Sequence, residues 1–303
     1  MRVLVTGGTG FIGSHIAGHF IEQGAEVLIT GTTGENTLER AILIKNLGEL
    51  RHFGTLDAVF HQAALNDTTN LDKNAMFLAN VHWSQELFER AIQKGCKHIV
   101  YASSTAIYGN GLAPYKEHQP LQPLNPYAES KIALESLAQQ YARAFPSLTF
   151  VGLRYCNVYG PGEAHKQKRA SMIYQLAQQM LQDNPKLFKI GEQKRDYIYV
   201  RDVLQANILA AQAKESCVVN CGSGKPTTFN ELVNILNEVI GLQRLPEYIE
   251  NPHHARYQSH TECDMTLAQQ KLGFVPQHDI RKGIEQYYRS GALTQNFSNE
   301  RTS

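Results

Sequence analysis

Five cysteines in 303 residues, an odd number at scattered positions, give no basis for a disulfide framework. Cys96, Cys156, Cys217, Cys221 and Cys263 read as plain thiols. Even the close pair in "CVVNC" falls in a strand-like run, where packing explains it better than a metal or redox site. An excess of one charge is also missing: 29 Lys and Arg face 28 Asp and Glu, for a net charge of +1. That balance excludes a general pull toward nucleic acid or membrane surfaces, so any anion site must be local. No stretch approaches the roughly 18 unbroken apolar residues of a membrane span. Glycines interrupt the opening "MRVLVTGG" too soon for a secretory signal, and we expect a cytoplasmic protein. His253, His254 and His260 lack any matching acid or cysteine pattern, so no metal is expected.

What is present is alternation. Apolar residues make up 42% of the chain, enough for a core. "RVLVT" reads as a buried strand, and "FIGSHIAGHFIEQG" has helical spacing closed by Gly24. Strands "EVLIT", "AILIK", "DAVFHQAA", "HIVYASS" and "TFVGLRY" follow, with helices near residues 76–94 and 127–145 between them. Strand–helix alternation means crossover units and a doubly wound parallel sheet covered on both faces, an α/β fold. After Tyr155 the loops lengthen and helices near 170–182 and 230–240 dominate, with further sheet strands expected at "RDYIYV" and "CVVNCG". We therefore expect a dinucleotide-binding domain over 1–165 plus 192–222. A smaller, mainly helical substrate-binding lobe would cover 166–191 plus 223–295, and 296–303 would be a frayed tail.

Gly7, Gly10 and Gly13 stand as G-x-x-G-x-x-G between the first strand and the first helix. Bare glycines allow a tight turn and close approach of a pyrophosphate to the free amides of the helix N-terminus. An acidic residue after the second strand would bond the adenine ribose of NAD, but "ITGTTGEN" has Gly31 and Thr32 there. NADP becomes the expected cofactor, with NAD possible; Thr32, Thr33, Arg40 or Lys45 would meet a 2′-phosphate.

"NPYAESK" places Tyr127 and Lys131 four residues apart on one helix face. An ammonium beside a phenol favours the phenolate, which can then take a carbinol proton. Ser104, at the end of the strand "HIVYASS", adds a hydroxyl where open parallel sheets place their sites. Together these features resemble the extended short-chain dehydrogenase/reductase family, in its branch acting on nucleotide sugars. The resemblance also includes "HQAA" at 61–64, Asn80, "LRYCNVYGP" and "RDYIYVRDV", and covers nearly the whole chain.

The resemblance implies a Rossmann-like fold and a catalytic set of Ser104, Tyr127 and Lys131; separately, the apolar residues on the helices near 76–94 and 127–145 suit pairing across a two-fold axis, and a homodimer is expected. Cofactor contacts would come from Gly7, Gly10, Phe11, Ile12, Gly13, Thr32, Asn46, Leu47, Gln62, Ala63, Ala64, Asn80, Tyr127, Lys131 and Val158. The family's dehydratases carry Asp-Glu directly after the serine-like position; here Thr105 and Ala106 follow Ser104, which points to epimerisation or reduction. "NVYGPGEAHK" is similar to a segment of the ADP-glyceromanno-heptose 6-epimerases, enzymes of lipopolysaccharide-precursor metabolism. That similarity implies that Lys166 is a second acid/base group. It also implies that Asn66, Ser104, Asn157, Lys166, Arg195, Arg256 and Tyr257 hold the nucleotide sugar. Burial would have to lower the Lys166 amine toward neutrality; pairing with a phosphate or with Glu163 is the other reading. Lys168 and Gln175 replace a serine and a histidine of that subgroup, which leaves the sugar and nucleotide open. A 4-epimerase, an NADPH-consuming reductase and a non-catalytic nucleotide sensor are the alternatives.

Overall fold

A computed structural model describes residues 1–31, 38–250 and 259–295. Seven strands form one parallel sheet: β1 (Arg2–Thr6), β2 (Glu26–Ile29), β3 (Ile42–Leu43), β4 (Ala58–His61), β5 (His98–Ser104), β6 (Thr149–Tyr155) and β10 (Cys217–Cys221). Their order is β10-β6-β5-β4-β1-β2-β3, and every neighbouring pair is parallel. The apolar runs lack a polar face because both faces are covered; β4 and β6 are buried at every position. On one face lie α1 (Phe11–Glu22), α6 (Val200–Ala210) and α8 (Thr266–Leu272), whose Ile16, Phe20, Val203 and Leu272 pack against Val3, Val5 and Phe60. On the other lie α3 (Trp83–Gln93) and α4 (Pro126–Ala144), whose Phe88 and Leu134 pack against Leu4, Val59 and Ile99. This is the Rossmann-like α/β fold expected from the alternation.

The strand order reverses between β1 and β4, because the chain returns from β3 to the far side of β1. The strand ends there splay apart and leave a crevice at their carboxyl side. Gly7, the residues after His61, and Ser104 all stand at that edge.

One strand departs from expectation. β10 joins the main sheet, but β9 (Lys194–Tyr199) does not; it pairs with β7 (Asn157–Tyr159) and β11 (Pro226–Thr228) in a separate sheet of order β11-β9-β7. The reason is β7, which follows β6 after a single residue and offers β9 a new edge. Tyr197 and Tyr199 enter a second apolar cluster, while Ile198 between them faces the main core, so β9 lies between the two. That second cluster belongs to α5 (Met172–Gln182), α7 (Phe229–Ile240) and α9 (Ile280–Arg289). A two-stranded sheet of β8 (Lys186–Phe188) and β12 (Glu247–Ile249) lies alongside these helices in the chain, so the lobe is less uniformly helical than the sequence suggests.

Arg154 on β6 carries a buried charge across the molecule. Its Nε and Nη2 donate to the two carboxylate oxygens of Glu135 on α4 at 2.9 and 2.7 Å, and Nη1 donates to Tyr108 Oη at 2.7 Å and Glu117 O at 2.9 Å. Both ionic side chains are about 95% shielded. Removing Arg154 takes the bidentate partner from Glu135 and leaves that buried carboxylate with Ser103 and Lys131. Arg154→Met should therefore cost about 3–5 kcal/mol; urea unfolding of the variant beside the wild type checks it.

Candidate active site

The crevice is a cleft of about 320 Å³. Its walls include Phe11, Ile12, Gln62, Ala64, Asn66, Ser104, Tyr127, Lys131, Asn157, Val158, Lys166 and Arg195, all singled out from sequence.

The glycine turn is set by crowding. Gly7 has φ +67°, and a Cβ there would sit 2.9 Å from Ala63 N; a Cβ on Gly13 would sit 2.1 Å from Gly7 O. Side chains at either place would push the β1 turn off β4 or off α1. Gly10 caps α1 with no side-chain acceptor, and no acid stands in its first turn, so the amides there are open to an anion. The turn fits a dinucleotide's pyrophosphate. At the end of β2 the missing acid has a physical reason: a Cβ on Gly31 would lie 2.0 Å from Thr9 Oγ1. Thr32, Arg256 and Tyr257 lie outside the described residues. Asn46 precedes a 3₁₀ turn at Leu47–His52, Leu47 is buried in the core, and neither lines the cleft.

A buried chain of hydrogen bonds ties this turn to α4. Ala63 N donates to Thr6 Oγ1 at 3.2 Å, and Thr6 Oγ1 meets His61 Nδ1 at 2.7 Å. His61 Nε2 meets Ser84 Oγ at 2.7 Å, and Ser84 Oγ donates to Asn80 O at 2.8 Å. Since Ser84 spends its proton on Asn80, the His61 proton belongs on Nε2, and Nδ1 accepts from Thr6. Burial pushes His61 down to about 3, so the ring is neutral. Asn80 sits in a π-helical turn, Leu78–His82, between α2 (Lys73–Phe77) and α3. Its amide accepts from Leu65 N at 2.7 Å and donates to Leu65 O at 2.9 Å and to Ser130 Oγ at 3.0 Å; Ser130 Oγ then donates to Tyr127 O at 2.7 Å. Asn80 thus clamps the helices and is not on the cleft wall.

Asn125 caps α4 by accepting from Ala128 N at 2.9 Å, and Pro126 opens the helix. Tyr127 therefore lies in the first turn, partly exposed, with Lys131 buried one turn on. The phenol is hydrogen-bonded with Ser104; burial raises its pKa and that bond opposes the rise. Lys131 Nζ lies 5.7 Å from the Tyr127 ring centroid and donates to Ala102 O at 2.8 Å. Burial lowers Lys131 to about 8, opposed by the Glu135 carboxylate. The free protein therefore holds the tyrosine as a phenol.

Lys166 enters the cleft from another element, the loop between β7 and α5, with Nζ 5.3 Å from the Phe11 ring centroid. Burial lowers its pKa, Glu163 raises it, and Arg169 lowers it. The basic residues that looked scattered in sequence partly converge: Lys166, Arg169 and Arg195 share the cleft. Arg169 Nη1 reaches Asn66 Oδ1 at 3.4 Å, and Arg195 lies 5.7 Å over the Phe229 ring. Asn157 Nδ2 donates to Asp196 O at 2.9 Å, tying its amide to β9. Lys168 is exposed, and Gln175 Nε2 donates to Ala170 O at 2.7 Å, so these two departures support the loop from its backbone.

Sequence reasoning missed Cys156, Tyr155, Ser171, Met172 and Tyr197 on the cleft wall. It also missed that Cys156, Cys263 and Asp196 place ligand atoms within 4.8 Å of one another. The Asp196 carboxylate already accepts from Ser223 N and Oγ, Gly224 N and Cys263 N, which leaves it little capacity for a metal. No local signal could pair residues so distant in the chain.

With this geometry in hand, comparison with known proteins is decisive. Residues 3–222 match the model of the NAD dependent epimerase/dehydratase family. The chain belongs to that family. It is 33% identical over 311 aligned residues to an ADP-L-glycero-D-manno-heptose-6-epimerase of Alkalilimnicola ehrlichii, covering 94% of this chain and 96% of the relative. Among solved structures, the Helicobacter pylori ADP-L-glycero-D-manno-heptose-6-epimerase superposes with a TM-score of 0.87 at 34% identity, covering 95% of each chain. A Thermotoga maritima UDP-glucose 4-epimerase with UDP-glucose gives 0.86 at 30%, covering 96% and 99%.

The Lys131 shift has a testable sign. Its folded value of about 8 lies below the ordinary 10.5, so the unfolded chain holds more protons between those values. The unfolding free energy of the wild type minus that of Lys131→Met should rise as pH goes from about 8 toward 10.5. Denaturant midpoints across that window check it.

Proposed function

We propose that this family member is a nucleotide-sugar epimerase that oxidises a carbinol transiently and reduces the ketone from the other face, acting as an ADP-glyceromanno-heptose 6-epimerase. The observation that carries this reading is the delivery of two proton-carrying groups to one cleft by separate elements: Tyr127 from α4 and Lys166 from the loop before α5. A bound nicotinamide would supply the hydride acceptor and donor. The positive charge of a bound oxidised nicotinamide, added to that of Lys131, would favour loss of the Tyr127 proton, and the phenolate, aligned by Ser104, would then take the carbinol proton. Inverting the carbon requires the ketone to present its second face, where a proton must come from another direction. Lys166, its amine lowered by burial, serves that geometry. Arg169 and Arg195 bring the positive charge that a diphosphate needs.

NADP is our proposed cofactor, with NAD as the alternative: Gly31 and Thr32 stand at the end of β2 where an acid would bond the ribose and repel a 2′-phosphate. Arg40, one expected partner, has Nη2 on Ile21 O at 3.1 Å, which weakens its part. A homodimer and a cytoplasmic setting belong to the same proposal. α3 and α4 present an outer groove of Ile92, Tyr141, Ala144 and Phe145 that suits pairing of two copies, and all five thiols are free. Among the described residues no helix is long and apolar enough to cross a membrane. The likeness to a UDP-glucose 4-epimerase, with Lys168 and Gln175 at changed positions, favours a nucleotide-hexose as the second reading.

Incubation with ADP-D-glycero-D-manno-heptose should invert C6, seen by NMR, with no net change in NADPH absorbance. Tyr127→Phe and Lys166→Met should each lower turnover about 10²–10⁴-fold. Unchanged sugar from a protein that binds cofactor would move the assignment to other nucleotide sugars. Light scattering should give twice the chain mass; a monomer would exclude the dimer.

A further inference from the structure

Glu163 is fully buried yet belongs to none of the groups that line the cleft. Its Oε1 accepts from Gly160 N at 3.1 Å and from Ser171 Oγ at 2.9 Å, and its Oε2 accepts from Ser171 N at 2.6 Å. Gly160 is where the Lys166 loop leaves β7, and Ser171 is the N-cap of α5, where the loop ends. One carboxylate therefore closes the loop at both ends. Between them the backbone runs through positive φ at Gly162 (+93°) and at Gln167 (+50°), a conformation that a side chain at 167 does not favour. Lys166 N donates to Glu163 O at 2.9 Å, so the clasp and the lysine share one turn. Three donors to two oxygens favour the ionised carboxylate, against burial, which raises its pKa.

We propose that Glu163 is the positioning residue for Lys166: it fixes the loop that presents the amine over Phe11 and supplies the countercharge that keeps that amine protonated. The proposal rests on the reading of Lys166 as an acid/base group, but its test does not. Among the described residues the charges acting on Lys166 are Glu163, which supports the ammonium, and Arg169, which opposes it. His165, next in the chain, is itself held down by burial and by Lys166. From α1 the Phe11 ring faces the amine. The tyrosines 159, 174 and 287 stand around the carboxylate; burial raises each of their phenols and its charge adds to the rise, so they remain neutral. Among the described residues, Glu163 is then the carboxylate whose removal should move the lysine.

The test is competitive amine labelling of the full-length protein across pH, with Lys166 read by mass spectrometry, without substrate. Each profile yields a midpoint and a high-pH plateau rate. Glu163→Gln should move the Lys166 midpoint to lower pH relative to wild type, with the other lysines unmoved. A loop role without the charge would leave the midpoint in place and overturn the countercharge. Glu163→Asp keeps the charge but shortens the reach, so the midpoint should stay up while the plateau rate rises several-fold as the loop loosens. A plateau equal to wild type would overturn the clasp, and this arm stands even where the Gln variant does not fold. Should the protein prove inactive on every nucleotide sugar, the acid/base role of Lys166 falls while the labelling still decides what Glu163 does.

Discussion

Everything at the site depends on one buried ammonium. Lys131 lies 2% exposed behind Tyr127, and burial lowers its pKa to about 8. What keeps it charged is Glu135, one turn further along α4, and Glu135 is in turn held by the fork of Arg154 and by Ser103 Oγ at 2.6 Å. One carboxylate stands between two cations, so the set carries a net positive charge. That excess faces a cleft which also holds Lys166, Arg169 and Arg195. A chain of net charge +1 thus concentrates positive charge at one place, where a phenolate would be stabilised and where a diphosphate would dock.

The rigid parts explain how that charge is aimed. The strand order reverses between β1 and β4, the glycine turn is packed against Ala63, and the path through Thr6, His61, Ser84, Asn80 and Ser130 carries the register of β1 and β4 to the backbone of Tyr127. Each member of that path is buried or partly buried and has its polar atoms engaged, which is the condition under which a polar network adds order. Lys166 stands on a different kind of element, a short 3₁₀ turn (Ala164–Arg169) broken at Gln167, and so needs its own carboxylate.

What was legible in the sequence follows from distance along the chain. The strand–glycine–helix start, the Asn-Pro cap that orients Tyr127 and Lys131, and the strand ending at Ser104 are local patterns. They appear in the fold where the residues put them. β9 was misjudged because its run of aromatic and β-branched residues marks a strand without naming its partner; only the early departure of β7 from the sheet decides that. Glu163 and Ser171, Arg154 and Glu135, and Cys156 and Cys263 meet across the fold, and nothing in their spacing announces it. Gly31 shows the reverse case: an apparent loss of function signal at the end of β2 that turns out to be a packing requirement set by Thr9.

The central claim is that hydrogen leaves and returns to one carbon as hydride, within one cleft, while only oxygen-bound protons pass through Tyr127 and Lys166. Turnover in D₂O tests this most directly, with the inverted product analysed by mass spectrometry and NMR. Hydride return predicts product with no deuterium on the inverted carbon. Deuterium at that carbon would mean that it was deprotonated and reprotonated by solvent-exchanging groups, and the account given for Tyr127, Lys131 and Lys166 would be wrong.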